Sequence, residues 1–137
     1  MAIKIRRVDY FHTTVKDRPG EAFRMLSHLA SSEVNLLAFG AVPLGPDRAQ
    51  LTVFPENVED LAAVAERVGL VLDGPRPALL VQGDDELGAL ADIHAKLYDA
   101  GINVYSSTGV TDGKRAFGYV LYLHPEQVDR AVAALND

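Results

Sequence analysis

Residues 17–30 read DRPGEAFRMLSHLA, and residues 85–98 read DELGALADIHAKLY. In both stretches an aspartate stands three residues before a glycine, and apolar residues then recur at the spacing of an amphipathic helix. Placing Gly20 on Gly88 sets an offset of 68 residues, which also places Asn35 on Asn103 without a gap. Helical spacing does not account for the matched aspartates and asparagines, so the two stretches predict an internal repeat.

The first half of the chain alternates strand and helix patterns around this stretch. Residues 9–15 are rich in β-branched and aromatic types, which favour a strand. Asn57 is typical of a helix N-cap, because its side chain can accept a bond from an early backbone N–H. The first half therefore predicts the order β-α-β-β-α-β, with strands at residues 9–15, 34–42, 49–54 and 70–72 and helices after Gly20 and Asn57.

A linker pattern separates the two halves. Residues 74–77 contain one glycine and two prolines, which fix a turned path without ladder donors. The predicted domains are therefore residues 1–74 and residues 75–137. The second half predicts β-α-β-β-α, with elements at residues 78–81, 88–100, 102–110, 116–123 and 125–135. Beyond the two predicted hairpins the offset between matching residues becomes 70, which places Val58 on Val128. We assign the two additional residues to a longer hairpin turn in the second half.

The second half lacks a fourth strand in this prediction. Its first strand, residues 78–81, would then carry unpaired backbone groups along one edge, and such edges are usually covered. The alternating segment of residues 2–6, which includes Ile3 and Ile5, is our candidate for the covering strand. The predicted fold class is α+β, with two tandem ferredoxin-like βαββαβ repeats, each an antiparallel sheet with helices on one face.

Composition narrows the classes of partner. The formal net charge is −6 and the calculated pI is about 5.1, which argues against binding nucleic acid, because such binding rests on clustered basic residues. The sequence has no cysteine and no apolar run near the ~18 residues of a membrane span. We therefore expect a cytoplasmic protein with no nucleic-acid or membrane partner.

Catalytic patterns are missing from the sequence. Its four histidines fall on separate predicted elements, and no phosphate-binding glycine loop, metal-ligand pair or nucleophile elbow is found. We explain His94 by an exposed helix face and Tyr119 by core packing. The sequence therefore predicts no catalytic residue, metal or cofactor, although small enzymes also use ferredoxin-like folds.

The sequence resembles the ACT family of regulatory ligand-binding domains. The resemblance rests on Asp17-Arg18-Pro19-Gly20 and Asn35 in the first repeat, and on residues 84–88 and 100–104 in the second. Residues 105–108, Tyr-Ser-Ser-Thr, are similar to the corresponding strand of aspartokinase regulatory domains. The resemblance implies that the repeats pack side by side through their second strands into an eight-stranded sheet. It also implies composite amino-acid sites, in which the loop of one repeat faces the second strand of the other.

Elementary chemistry agrees with such a site. A helix N-terminus offers free N–H groups to an α-carboxylate, and an aspartate can pair with an α-ammonium. The same aspartates could instead be helix caps, and the acidic run Asp84-Asp85-Glu86 departs from the family pattern. The predicted ligand-binding residues are Asp17, Arg18, Pro19, Gly20, Glu21, Asn35, Asp85, Glu86, Leu87, Gly88, Asn103, Ser106 and Ser107.

The predicted function is an allosteric regulatory module that binds a free amino acid and is not an enzyme. We expect a homodimer, and an enzyme partner that the module regulates. The alternative is a ligand-free assembly module in which the second strands only mediate pairing.

Overall fold

The computed structural model describes residues 3–137, which form six β-strands and four α-helices. The predicted α+β class is confirmed. No helix within this range is long and apolar enough to cross a membrane. The elements are β1 Ile3–Lys16, α1 Glu21–Ser31, β2 Leu36–Pro43, β3 Arg48–Pro55, α2 Val58–Val68, β4 Asp73–Asp84, α3 Ala89–Asp99, β5 Ser106–Thr111, β6 Ala116–Tyr122 and α4 Val128–Asn136, with a 3₁₀ turn at Pro125–Gln127 before α4.

The strands follow the hydrogen-bonding order β2-β3-β1-β4-β6-β5. The chain divides into two compact units. The N-terminal unit is Asp9–Arg76, and the C-terminal unit combines residues 3–8 with Pro77–Asp137. β1 and β4 are long enough to give one half to each unit. Each unit therefore has four strands and two helices.

The core of the N-terminal unit lies between its helices and one face of its strands. Met25 and Leu29 of α1 and Leu61 of α2 are buried against Phe11 and Val53. α2 begins as predicted, because the Asn57 side chain accepts a hydrogen bond from the Asp60 backbone N–H at 3.0 Å. The amphipathic pattern of the sequence thus places both helices on the same core.

The core of the C-terminal unit includes the start of the chain. Ile3 and Ile5 pack against the buried cluster that contains Leu79, Val81 and Leu121, and β1 is the neighbour of β4 in the strand order. The prediction that this segment fills the edge beside the second repeat's first strand is confirmed for these residues. Ala2, the first residue of the predicted segment, lies outside the described residues.

Two features predicted for the residues that follow α2 are wrong. Residues 70–72 are not a strand, because the Val71 carbonyl accepts a bond from the Thr13 hydroxyl at 2.8 Å and strand β4 begins only at Asp73. The predicted linker of residues 74–77 lies inside β4. Its prolines are tolerated there because pairing with β6 begins only at Ala78, which leaves Pro75 and Pro77 without a ladder partner on that side.

The expected eight-stranded sheet is also wrong for a single chain. The order has six strands, and the second strands of the two repeats, β2 and β5, stand at its opposite ends. The reason is that β1 and β4 each supply strand residues to both units. Residues 102–105, predicted as strand, precede β5 instead.

Backbone hydrogen bonds recur in the two units at the offset of 68 residues. The Asp17 N–H donates to the Asp47 carbonyl, and the Asp85 N–H donates to the Arg115 carbonyl. The bond from Val34 N–H to the Leu29 carbonyl matches the bond from Ile102 N–H to the Leu97 carbonyl. The bond from Leu44 N–H to the Arg48 carbonyl matches the bond from Asp112 N–H to the Ala116 carbonyl. The last pair closes the hairpin turns, so the predicted change of offset in the hairpins is wrong. The two additional residues lie between β6 and α4, where Pro125–Gln127 form the 3₁₀ turn.

The added strand gives a first prediction. We expect Ile5→Ala to lower the free energy of unfolding by about 1 kcal/mol, because it removes partly buried apolar surface from the C-terminal core. Lys4→Ala, one residue away on the exposed side of the strand, is the control and should change stability by less than about 0.5 kcal/mol. Urea unfolding measures both, and an equal effect in the two variants would contradict the packing of this segment.

A candidate ligand-binding site in the C-terminal unit

The loop before α3 presents its backbone at the start of the helix. Gly88 has the left-handed conformation, with φ of 86°, and precedes the helix without a side-chain cap. The Asp85 N–H donates to the Arg115 carbonyl at 2.6 Å, and the Glu86 N–H donates to the Asp84 carbonyl at 2.9 Å. The capping alternative is therefore wrong for Asp85. It is wrong for Asp17 as well, because Gly20 precedes α1 in the same way.

A cavity of about 590 Å³ opens beside this loop. The predicted residues Asp85–Gly88 line one side of it, together with the first turn of α3. Its other wall is Gly109–Thr111 of β5, with Phe117 of β6 behind them. The structure thus brings one predicted loop together with the second strand of the same unit, whereas the resemblance implied the second strand of the other repeat.

The cavity combines an acidic end with apolar walls. Asp85 and Glu86 are its charged lining residues, and none of the residues that line it is basic. Leu90 supplies apolar surface from α3, and Phe117 supplies it from β6. Such a lining suits a ligand that has both a cationic group and an apolar part.

A chain of hydrogen bonds lies farther along the same wall. Tyr119 of β6 is only 6% exposed, and its hydroxyl is hydrogen-bonded to Ser107 Oγ at 2.9 Å. His94 Nε2 of α3 lies 2.6 Å from the same hydroxyl. Each of these three groups can donate or accept, so the buried hydroxyl has a partner on either side. The chain therefore runs from the helix to the edge strand.

Gly109 makes room for this chain. A Cβ atom at Gly109 would lie 3.0 Å from Cδ1 of the Tyr119 ring, which is closer than ordinary packing allows. Gly109 faces Tyr119 across the β5–β6 ladder. A residue without a side chain at this position lets the ring approach β5 and reach Ser107.

Other predicted residues are not in this cavity. Ser106 is paired with Tyr122, and strand alternation turns its side chain to the face opposite Ser107. Asn103 is exposed in the segment between α3 and β5. Ser107 is next to the cavity through its bond to Tyr119, but it is not one of the lining residues.

Three of the predicted residues in the N-terminal unit already form side-chain bonds within that unit. Arg18 Nε lies 2.6 Å from Glu21 Oε1, and the Glu21 side chain is only 12% exposed. Asn35 Nδ2 donates to Glu56 Oε2 at 2.6 Å, which connects two loops. Asp17, Pro19 and Gly20 are exposed. Glu21 lines a smaller cavity of about 180 Å³ between α1 and α2, which Asn35 does not line.

Sequence reasoning missed the roles of His94, Tyr119 and Gly109. A signal was present in the repeat itself, because the offset of 68 places Leu26 on His94, Phe39 on Ser107 and Leu51 on Tyr119. Three apolar residues of the first repeat are thus three polar residues in the second. Comparing the repeats for differences, as well as for matches, would have identified them.

Known structures share this architecture. A protein of Bacteroides thetaiotaomicron superposes with a TM-score of 0.82 at 14% identity, covering 96% of this chain and 88% of its own. The regulatory subunit of aspartate kinase from Thermus thermophilus gives 0.67 at 15% identity, with coverage of 98% and 94%. That of Thermus flavus gives 0.60 at 17% identity, with the same coverage. The chain has an ACT-like fold.

The predicted resemblance is thereby confirmed at the level of fold. Two of these ACT-like neighbours are regulatory subunits rather than catalytic ones. No protein-family model and no curated protein matches the sequence. The site must therefore be interpreted from its own residues.

A histidine with a shifted pKa lies in the N-terminal unit. His12 lines a cavity of about 410 Å³ with Thr14, Gln50 and Asp73, and its Nδ1 is 3.0 Å from Thr52 Oγ1. Burial lowers the pKa of His12 below its ordinary value of 6.5, and the nearby positive charge of Arg76 lowers it further, while Asp73 partly opposes the change. The folded protein therefore favours the neutral imidazole.

This shift predicts a pH dependence of stability. The unfolded chain binds a proton at His12 more readily than the folded chain, so acidification stabilises the unfolded state. We expect the free energy of unfolding to fall as the pH drops through about 6.5, and this contribution to be missing in His12→Gln. Urea titrations of both proteins between about pH 8 and pH 5 test it. Parallel curves would contradict the assigned shift.

The close approach of Gly109 to Tyr119 gives a further prediction. Gly109→Ala should lower the free energy of unfolding by roughly 1–2 kcal/mol, because the added methyl group displaces the ring and breaks its hydrogen bonds. Gly118→Ala is the matched control on β6, since a Cβ there meets nothing within 4 Å. Near-ultraviolet circular dichroism of the tyrosines should change in the first variant only. The assigned packing is wrong if the two variants behave alike.

Proposed function

We propose that this protein is a regulatory module that binds a free amino acid and is built from two tandem ACT repeats, residues 1–74 and 75–137. The observation that carries the proposal is the cavity of about 590 Å³ that joins Asp85–Gly88 to β5. Its volume falls within the range of small-molecule sites, about 300–1,000 Å³. The acidic loop suits the ammonium group of an amino acid, and the apolar surface of Leu90 and Phe117 suits its side chain.

The tandem arrangement is supported by the backbone bonds that recur at an offset of 68 residues. Both repeats also precede their first helix with a left-handed glycine, Gly20 and Gly88. The compact units differ from the sequence repeats because residues 3–8 belong to the C-terminal unit and residues 75–76 to the N-terminal unit. Repetition of the loop geometry is what duplication of one ligand-binding domain would produce.

A binding role is also favoured by the neighbours in fold, two of which are regulatory subunits of aspartate kinase.

Regulation requires a second state or a partner, and the ends of the strand order offer the surface for one. All residues of β5 are exposed, and β5 and β2 each have a strand neighbour on one side only within the described range. We propose that a second copy of the chain pairs along these edges, so that β2 or β5 of that copy completes the ligand site. The resulting homodimer would pass ligand occupancy to an enzyme partner.

A thermal-shift screen against the twenty amino acids at millimolar concentration tests this function. Ligand binding to the folded state alone stabilises it by about 2.7 kcal/mol at one hundred times Kd. We expect one or a few amino acids to raise Tm. Thr111→Lys should abolish the shift, because Thr111 lines the cavity on the strand face that carries Gly109, so the lysine side chain enters the cavity. Pro43→Lys is the matched control at the equivalent position of β2, where Pro43 is also exposed.

The variants separate the alternatives. Loss of the shift in Thr111→Lys alone supports a site within the C-terminal unit, and loss in both variants supports a site that a second copy completes. Loss in Pro43→Lys alone would contradict the assigned cavity. A cooperatively folded protein that no amino acid stabilises would favour the ligand-free assembly module.

A further inference from the structure

Two positive charges stand directly opposite each other on the N-terminal strands. Lys16 of β1 and Arg48 of β3 are ladder partners, and like charges in this arrangement destabilise a sheet. Val15, the residue before Lys16, packs against the helix-facing core, so strand alternation turns Lys16 and Arg48 to the opposite face of the strands. Both are exposed. This cation pair therefore has an energetic cost that the fold itself does not explain.

The cation pair has no ionic partner in the described part of the chain. Within residues 3–137 neither Lys16 nor Arg48 forms an ion pair, and the acidic residues next to them in sequence, Asp17 and Asp47, form none either. Ammonium and guanidinium groups are the usual donors to phosphate in proteins. An anion held by both side chains would offset their repulsion.

The cavity of about 410 Å³ in the N-terminal unit borders this cation pair. Thr14 and Gln50 line the cavity, and they are the ladder row on the same face next to Lys16 and Arg48. Successive residues on one face of a strand are roughly 7 Å apart, which is about the length of a lysine or arginine side chain. A ligand in the cavity is therefore within reach of both cations.

The lining of this cavity suits uncharged polar groups. Asp73, the acidic residue in the lining, is already bound to Arg76 at 2.8 Å, and His12 favours the neutral imidazole because burial lowers its pKa. The Thr14 hydroxyl and the Gln50 amide can each donate and accept hydrogen bonds. Hydroxyl groups of a ligand match these partners, whereas its charge matches the cation pair.

We propose that this face of the N-terminal unit binds a small phosphate monoester whose other part carries hydroxyl groups, such as a sugar phosphate. Lys16 and Arg48 hold the phosphate. Thr14, Gln50 and His12 bond to the hydroxyl groups in the cavity, whose volume is in the range of small-molecule sites. This site goes beyond the amino-acid site proposed for the C-terminal unit and does not depend on it.

The second repeat shows that the fold does not need the cation pair. The offset of 68 places Lys16 on Asp84 and Arg48 on Ala116, and these two residues are ladder partners in their turn. The same backbone row thus forms with one negative charge and a methyl group. A lysine opposite an arginine in the first repeat is therefore a local feature with a role beyond folding.

Calorimetric titration of the purified chain tests the proposal. The probes are glycerol phosphate, ribose phosphate and glucose phosphate, with inorganic phosphate and the free sugars as the two halves of the ligand. We expect at least one ester to bind about tenfold or more tightly than either half. Lys16→Gln and Arg48→Gln should each weaken it at least about tenfold, the effect of losing a hydrogen bond to a charged group. Lys4→Gln is the matched control, because it removes the same charge from an exposed position of the same strand.

A second variant tests the cavity separately from the cation pair. Thr14→Val removes a lining hydroxyl at nearly constant shape, so it should weaken the ester about fivefold, the effect of one neutral hydrogen bond, and leave the affinity for inorganic phosphate unchanged. Lys16→Gln and Arg48→Gln relieve a repulsion between like charges, so neither should lower Tm. These measurements keep loss of binding distinct from loss of folding.

The remaining outcomes overturn the proposal. It is wrong if no ester binds more tightly than inorganic phosphate, or if Lys4→Gln weakens the ester as much as Lys16→Gln does, which would indicate attraction to positive charge in general. An ester affinity that Thr14→Val leaves unchanged contradicts the role of the cavity. Amino-acid binding without ester binding overturns this proposal alone, and ester binding without amino-acid binding overturns only the function proposed for the C-terminal unit.

Discussion

The pairing of β1 with β4 is the constraint on which the rest of the structure depends. Each unit needs four strands to cover its two helices, yet the second half of the sequence supplies only three. β1 resolves this shortage because it spans Ile3–Lys16, long enough to serve as the first strand of one core and as the edge partner in the other. Ile3 and Ile5 then contribute apolar surface to the C-terminal core. Without this extension, β4 would present unpaired donors and acceptors beside a packed core.

A backbone hydrogen bond between the loop before α3 and the β5–β6 hairpin positions the loop beside the cavity. In the C-terminal unit the Asp85 N–H bonds to the Arg115 carbonyl, which fixes the loop before α3 against the β5–β6 hairpin. Gly88 turns the chain into α3 in a left-handed conformation that a residue with a side chain adopts only with strain. These two features set α3 opposite β5 and leave the space between them as the cavity. The cavity is thus formed by backbone geometry, and its side chains set its charge and polarity.

Much of this arrangement could be predicted from the sequence, and the failures have physical causes. Helical spacing and the matched glycines located α1 and α3, and strand alternation identified the role of Ile3 and Ile5. Periodicity does not report which strands pair, so the six-stranded order and the continuation of β4 through Pro75 were not foreseen. The loop Asp85–Gly88 was identified because its motif is local. The contribution of Tyr119 was not, because it depends on a ladder that places Gly109 opposite the ring, 10 residues away in sequence.

The two repeats share a backbone and differ in what they place on it. The loop of the first repeat is closed by the Arg18–Glu21 ion pair, while that of the second leaves Asp85 and Glu86 facing a cavity. The positions of an apolar trio in the first repeat carry a connected polar trio in the second. Because a buried tyrosine hydroxyl is costly unless it is hydrogen-bonded, Ser107 and His94 offset the cost of burying Tyr119. The C-terminal unit thus has hydrogen bonds at positions where the N-terminal unit has apolar side chains.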